Sequence, residues 1–193
     1  HAQDCSQVVD GVTYLAVDLE TTGLDLPADQ IMEIAWAPLD AQFQKVAPTQ
    51  SLTLEVTPAV RERILGNNFV RDMHTANGLT KDALEGGLPL AMVEKIIMNA
   101  ADKWDWAGSK LIVFGSSVHF DLRFLQVHMP TLAKWLHYRA QDVTTMVAFA
   151  AAAGVPPEEN RAIAHRAAAD IDWSIETAQR LLGALRVQQG VYV

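Results

Sequence analysis

Asp18 and Glu20 stand two apart at the end of an apolar run, and Asp121, His165 and Asp170 add three more groups able to hold a metal or move a proton. Side chains on a strand alternate between its faces, so residues two apart point the same way. Two carboxylates side by side repel, and burying them costs more unless a cation lies between them. A hard cation that prefers oxygen, Mg²⁺ or Mn²⁺, suits that place. Taken alone, the pair is a weak signal and better suits a solvated strand end, where acids are common. Asp121 falls at the start of a predicted helix after an apolar strand, where a sheet edge often presents site residues. A first-turn acid favoured by the helix dipole would occupy the same position. His165 and Asp170 are five residues apart, a turn of about 140° on an ideal helix, so they do not share a helical face. His165 is therefore expected in a loop or first turn and Asp170 in the helix body. A solvated histidine and a surface acid are the plain alternatives.

Periodicity supplies the elements that must position these groups. Residues 12–19 (VTYLAVDL) read as a strand, and residues 31–38 and 51–56 as two more, the last alternating in period two. Gly23 and residues 24–30, with Pro27, make a short connection, so an antiparallel meander is predicted. The turn Thr21-Thr22-Gly23-Leu24 offers small hydroxyls and a glycine that lets a substrate backbone approach. Residues 58–87 are helical but broken by Gly66, Asn67, Asn77 and Gly78. Residues 90–106 place Met92, Val93, Ile96, Ile97, Ala100 and Trp104 at helical spacing, with a stop before Gly108. Residues 110–115 (KLIVFG) predict a buried strand, followed by a helix with Phe120, Phe124 and Leu125 inward. Residues 142–153 and 167–187 are the last predicted helices, and residues 154–160 form a mobile lead-in to the second. A meander followed by alternating strand and helix implies an α/β fold, a mixed sheet with helices on both faces.

At 193 residues, about half of them hydrophobic, the chain suits one domain with a full core. Residues 1–10 are expected to be disordered or the remnant of trimming. The chain shows no apolar run of the roughly 20 residues a bilayer span requires, so no membrane partner is expected. Cys5 is the only cysteine, which excludes an internal disulfide and a cysteine zinc site and fits the cytoplasm. A net charge of −8 argues against a broad basic surface for long nucleic acid. A small nucleic-acid substrate is compatible, because metals gathered by the acids supply the positive charge that phosphate needs.

Asp18-Leu-Glu20-Thr-Thr-Gly-Leu24, Asp121 and His165…Asp170 together resemble the three motif blocks of the DEDDh 3′→5′ exonuclease superfamily. Four further segments are similar to its oligoribonuclease branch: residues 73–80 (MHTANGLT), 115–125 (GSSVHFDLRFL), 137–145 (HYRAQDVTT) and 165–170 (HRAAAD). The resemblance runs from about residue 12 to residue 185. It implies an RNase H-like mixed five-stranded sheet flanked by helices, forming a single exonuclease domain over residues 1–193. It further implies two divalent metal ions, Mg²⁺ or Mn²⁺, and hydrolysis of di- to short oligoribonucleotides to nucleoside 5′-monophosphates.

By motif match, Asp18, Glu20, Asp121 and Asp170 would hold the metals and His165 would act as general base. Short single-stranded RNA would be bound by Leu24 as a wedge between bases and by Phe69 in the base pocket. Ser117, Arg139, Thr144 and Thr145 would ring the phosphate, and Tyr138 would stack across a homodimer. Phe69 equally suits the core, and the threonine pair equally suits a helix cap. Phe69 stands where many relatives carry Trp, and Thr144 where Ser is more usual; residues 39–50 and 61–68 also diverge. The nearest alternatives are a DNA-directed proofreading or tRNA-trimming exonuclease of the same superfamily, and a non-catalytic nucleic-acid-binding module. The phosphate ring favours short RNA, and retention of all five catalytic-type residues argues against the inactive module.

Overall fold

A computed structural model describes residues 9–106, 110–156 and 165–190. Its centre is a five-stranded mixed sheet built from β2 (Tyr14–Thr21), β3 (Ile31–Leu39), β4 (Gln50–Thr53), β6 (Leu111–Gly115) and β7 (Leu136–Asp142), in the order β4-β3-β2-β6-β7. β2, β3 and β4 pair antiparallel, the predicted meander, whereas β6 and β7 run parallel to β2. A separate parallel pair joins β1 (Val9–Val12) to β5 (Trp104–Trp106).

The alternation of side chains along β2 decides where the acids go. Leu15, Val17 and Leu19 enter one core with Ile34, Trp36, Val113 and two helices, α4 (Leu90–Ala101) and α5 (His119–His128). Ala16 faces the other way, into a second core with Ala35, Ala37, Phe114 and the long helix α8 (Ala167–Gly190). Asp18 and Glu20 follow Ala16 in register, so they lie on the face that α8 covers. Small alanines there let α8 approach, and Ile171 and Ile175, both fully buried, contribute roughly 1.5–3 kcal/mol each by leaving water. Gly115 ends β6 where a Cβ would lie 2.7 Å from the Val17 carbonyl oxygen. Only glycine lets these parallel strands meet so closely beside the acids.

The remaining helices are α1 (Pro58–Gly66), α2 (Asn68–Ala76), α3 (Leu79–Gly86), α6 (Pro130–Ala133) and α7 (Val143–Ala152). The three short helices α1 to α3 match the broken helical pattern, with Asn67 ending one and capping the next by accepting from Val70 N at 3.2 Å. The predicted helix over residues 90–106 needs correction. It stops at Ala101, and Trp104 belongs to β5, where pairing with β1 takes over. That pairing partner lies more than ninety residues away in sequence, so local periodicity could not reveal it.

The expected stop at Gly108 lies outside the described residues, as does most of the lead-in before His165. Of residues 1–10, expected to be disordered or trimmed, residues 1–8 lie outside them too. Val9 and Asp10 form part of β1. Among the described residues, no helix is long and apolar enough to cross a membrane.

Candidate active site

Three segments converge at the end of β2. Asp18 and Glu20 come from the strand itself, Asp121 from the first turn of α5, and His165 and Asp170 from the start of α8. With Ser116, Ser117 and Phe120 they line a cavity of about 390 Å³. His165 stands two residues before α8 with φ 50°, and Asp170 lies in the first turn. One ligand atom each from Glu20, His165 and Asp170 fall within 4.8 Å of one another.

Burial makes this cluster electrostatically costly. Two carboxylates about 5 Å apart repel by roughly 3–4 kcal/mol at an effective dielectric of about 20, a large share of the ~5–15 kcal/mol that holds a domain together. Glu20 is accordingly pushed up to about 8, first by burial, then by Asp18, Asp170 and Glu33, while Arg166 opposes the rise. Asp121 is pushed well above the usual carboxylate range by burial and by Asp18, although the Leu19 amide donates to its Oδ1 at 3.0 Å. A dication among these oxygens removes the need to hold protons there, so the donor set fits a hard divalent metal.

The acid cavity opens into a second hollow of about 390 Å³, sharing Leu19, Glu20, Phe120 and His165 with it. Leu24, Phe69, Val70 and Met73 line the second hollow. Leu24 is 78% exposed and Phe69 73%, so Phe69 is not a core residue. Both present apolar surface beside the acids.

The glycine turn is built differently from the sequence expectation. Thr21 Oγ1 donates to the Gly23 carbonyl at 2.8 Å, and Thr22 Oγ1 donates to Asp29 at 2.9 Å. Asp29 is buried and also accepts from Asp25 N and Arg63 Nε. Burial alone would raise its carboxyl, but the Arg63 hydrogen bond and the other donors hold it below the usual range. A Cβ on Gly23 would collide with that carboxylate. The Thr22 hydroxyl and the glycine thus serve Asp29, which fixes the Leu24 loop, while the Thr21 hydroxyl closes the turn on the Gly23 carbonyl.

Ser117 (φ 54°) and Thr144 meet at the cavity rim, where the Ser117 amide donates to Thr144 Oγ1 at 3.3 Å and Ser116 Oγ lies 3.2 Å from it. The threonine pair does not cap α7. Asp142 does, accepting from Thr144 N and Thr145 N, while its other oxygen accepts from Val118 N at the start of α5. A carboxylate takes more donors than a hydroxyl, so one side chain serves two helix starts. Thr145 lines a different, apolar hollow of about 290 Å³ with Phe43, Met146 and Phe149. Tyr138 and Arg139 lie on the edge strand β7, both exposed, with the guanidinium 5.4 Å from the Tyr138 ring centre. The structure therefore groups Ser117 with Thr144, and sets Thr145, Arg139 and Tyr138 apart from the acid cavity.

Sequence reasoning missed several supporting residues. His74 is fully buried, its Nε2 3.1 Å from the Thr21 carbonyl and 4.0 Å from Glu20, and burial holds its pKa down. Glu33, Arg166 and Asn77 were passed over too. The available signal was Glu33 itself, a lone acid in the apolar strand IMEIAWAPL, which requires partners.

Comparisons with known proteins bear on this geometry. Residues 15–178 match the RNase T family model, described as an exonuclease. A probable oligoribonuclease of Dictyostelium discoideum is 35% identical over 162 residues, covering 83% of both chains. The chain belongs to the oligoribonuclease family of exonucleases. Other family members include an oligoribonuclease of Cutibacterium acnes, 32% identical over 83% of this chain and 79% of that one. The human mitochondrial oligoribonuclease is 32% identical over 84% of this chain and 69% of that one. Escherichia coli exonuclease I in complex with single-stranded DNA superposes with a TM-score of 0.62 at 17% identity. It covers 92% of this chain, which spans 43% of that longer one. This likeness shows the fold, the expected RNase H-like α/β sheet flanked by helices.

Proposed function

We propose that this oligoribonuclease-family chain is a metal-dependent 3′→5′ exoribonuclease acting on di- to short oligoribonucleotides and releasing nucleoside 5′-monophosphates. One observation carries the reading: the acid cavity and the apolar hollow share residues, so a scissile phosphate over the acids places its bases against Leu24 and Phe69. Asp18, Glu20, Asp121 and Asp170 hold divalent metal, two Mg²⁺ or Mn²⁺ ions in the fullest form of the proposal. Bound metal there would lower the pKa of water and offset charge on the leaving oxygen. His165, entering from the segment before α8, accepts the proton of the attacking water. Leu24 wedges between bases and Phe69 stacks on one, a contact that is sequence-tolerant because every base has a π-face.

Ser117 and Thr144 donate to the substrate phosphate at the rim, with Thr145 nearby on α7. Arg139 and Tyr138 act from β7, Tyr138 reaching the substrate of a partner protomer in a homodimer. In this reading the whole chain is a single exonuclease domain working in the cytoplasm.

The test is hydrolysis of 5′-labelled RNA 2-mer, 7-mer and 20-mer, with matched DNA, in Mg²⁺ and in EDTA. The 2-mer should disappear fastest, and EDTA should stop every reaction. Preferential loss of DNA, or of the 20-mer, would assign the chain to a proofreading or trimming role instead.

A further inference from the structure

We propose that Glu33 and Arg166 are positioning residues: they latch the start of α8 to β3 and so set where His165 and Asp170 stand relative to Glu20. Glu33 is 2% exposed, in a strand with every residue buried, and pairs in register with Glu20 across β2 and β3. Both acids therefore lie on the face beneath α8. Glu33 is answered by donors from the third motif block. Arg166 Nε lies 3.3 and 3.2 Å from its two carboxylate oxygens, and Nη2 lies 3.0 Å from Oε1. The Ala167 amide, the first of α8, donates to Oε2 at 2.9 Å, and Ser51 Oγ donates to Oε1 at 3.0 Å. One carboxylate thus caps the helix and grips the residue that follows His165.

The other arm of the guanidinium fixes the opposite side. Arg166 Nη1 reaches Asp82 at 3.0 Å and the Asn77 carbonyl at 3.3 Å. Asn77 in turn donates from Nδ2 to the His165 carbonyl. His165 has φ 50°, the left-handed region that few residues other than glycine occupy, though histidine enters it more readily than most. Its carbonyl is held by Asn77, and the next residue by the guanidinium fork on Glu33. A buried ion pair is weak evidence for stability, since apolar replacements often cost little. What a planar two-pronged pair supplies is a fixed place. Displacing a reacting group by about 1 Å lowers rate by roughly 100-fold.

Given the exonuclease reading, on which the catalytic half of this assignment rests, three variants test it: Arg166→Lys keeps charge without the fork, Glu33→Gln keeps shape without charge, and Arg166→Met removes both. Each is compared with the unaltered protein for kcat and KM on the RNA 2-mer, and for hydrogen–deuterium exchange of the peptide spanning residues 165–175. Arg166→Lys and Glu33→Gln should lower kcat about 10–100-fold with KM within about twofold. Exchange should quicken in that peptide while sheet peptides stay protected. Wild-type kcat, or unchanged exchange in that peptide, in folded Arg166→Lys and Glu33→Gln would overturn the latch. Should Arg166→Met fail to fold, the two conservative variants decide alone. Absence of RNA cleavage by the unaltered protein would defeat the exonuclease reading, and the exchange measurement would still judge the latch.

Discussion

The acid cavity and the recognition rim are built on opposite terms. Glu20, Asp121 and Asp170 are buried, each on a regular element and among like charges that raise Glu20 and Asp121. Leu24, Phe69, Tyr138, Arg139 and Thr144 are exposed. Chemistry that depends on placement within an ångström needs a rigid base, and here the sheet, two helix starts and their hydrogen bonds provide it. Recognition of a short flexible ligand needs accessible surface more than rigidity. Loss of an acid should therefore remove rate and spare the fold, whereas loss of a rim residue should weaken binding and spare rate.

The largest effect expected is that of Asp18→Ala. Removing a carboxylate from a metal site forfeits several kcal/mol of transition-state stabilisation, about 1,000-fold or more in kcat. Asp18 also raises both Glu20 and Asp121, so its removal relieves repulsion in the metal-free protein. Melting in EDTA should occur at or above the unaltered temperature. Ordinary turnover in Mg²⁺, or a clear drop in melting temperature, would break the contrast between rate and fold at its strongest point.

That contrast also explains what the sequence could convey. β2, β3, α5 and α8 are long enough for their periodicity to show, and the spacing of Asp18 and Glu20 follows from strand geometry alone. β5 reads as helix in sequence because Trp104 keeps helical spacing with Ile97 and Ala100, and its strand partner is remote. Glu33 stands out in sequence as a lone acid in an apolar strand, but its partner does not, since the guanidinium lies 133 residues away. His165 does stand before a helix, as a five-residue step off one face suggests, but Asp170 lies in the first turn of α8 and not in the helix body. The rim rested on resemblance. A hydroxyl at Thr144 and one at Thr145 look alike in sequence, yet one meets Ser117 and the other lines an apolar hollow.

At the rim the effects should be smaller and fall on KM. Phe69→Ala should raise KM for the RNA 2-mer about tenfold, since base–aromatic stacking is worth roughly 1–3 kcal/mol. Its kcat and melting temperature should hold, because the side chain is 73% exposed. Arg139→Ala should act in the same direction, most strongly where the 5′ phosphate lies near the acids. An equal loss on the 2-mer and the 20-mer would detach Arg139 from phosphate capping and leave Phe69 as the anchor.

The smallest effect is a pH dependence confined to the acid cavity. Glu20 titrates near 8 when folded and near 4.5 when unfolded, so between those values the folded state binds the extra proton. Stability then falls as pH rises through that window, and Asp121 adds in the same sense. His74 works oppositely: its folded pKa is depressed below 6.5, so it adds stability as pH rises towards 6.5 and is flat above. The range from 6.5 to 8 therefore isolates the acids. In EDTA the melting temperature should decline by a few degrees across it, and Glu20→Gln should flatten the decline. Added Mn²⁺ should raise the melting temperature more at pH 8 than at 6.5, because the metal then displaces fewer protons. A rim variant such as Phe69→Ala should keep the full decline. A decline that persists in full when Glu20→Gln and Asp121→Asn are combined would move the strain out of the cavity and erase the electrostatic half of the contrast.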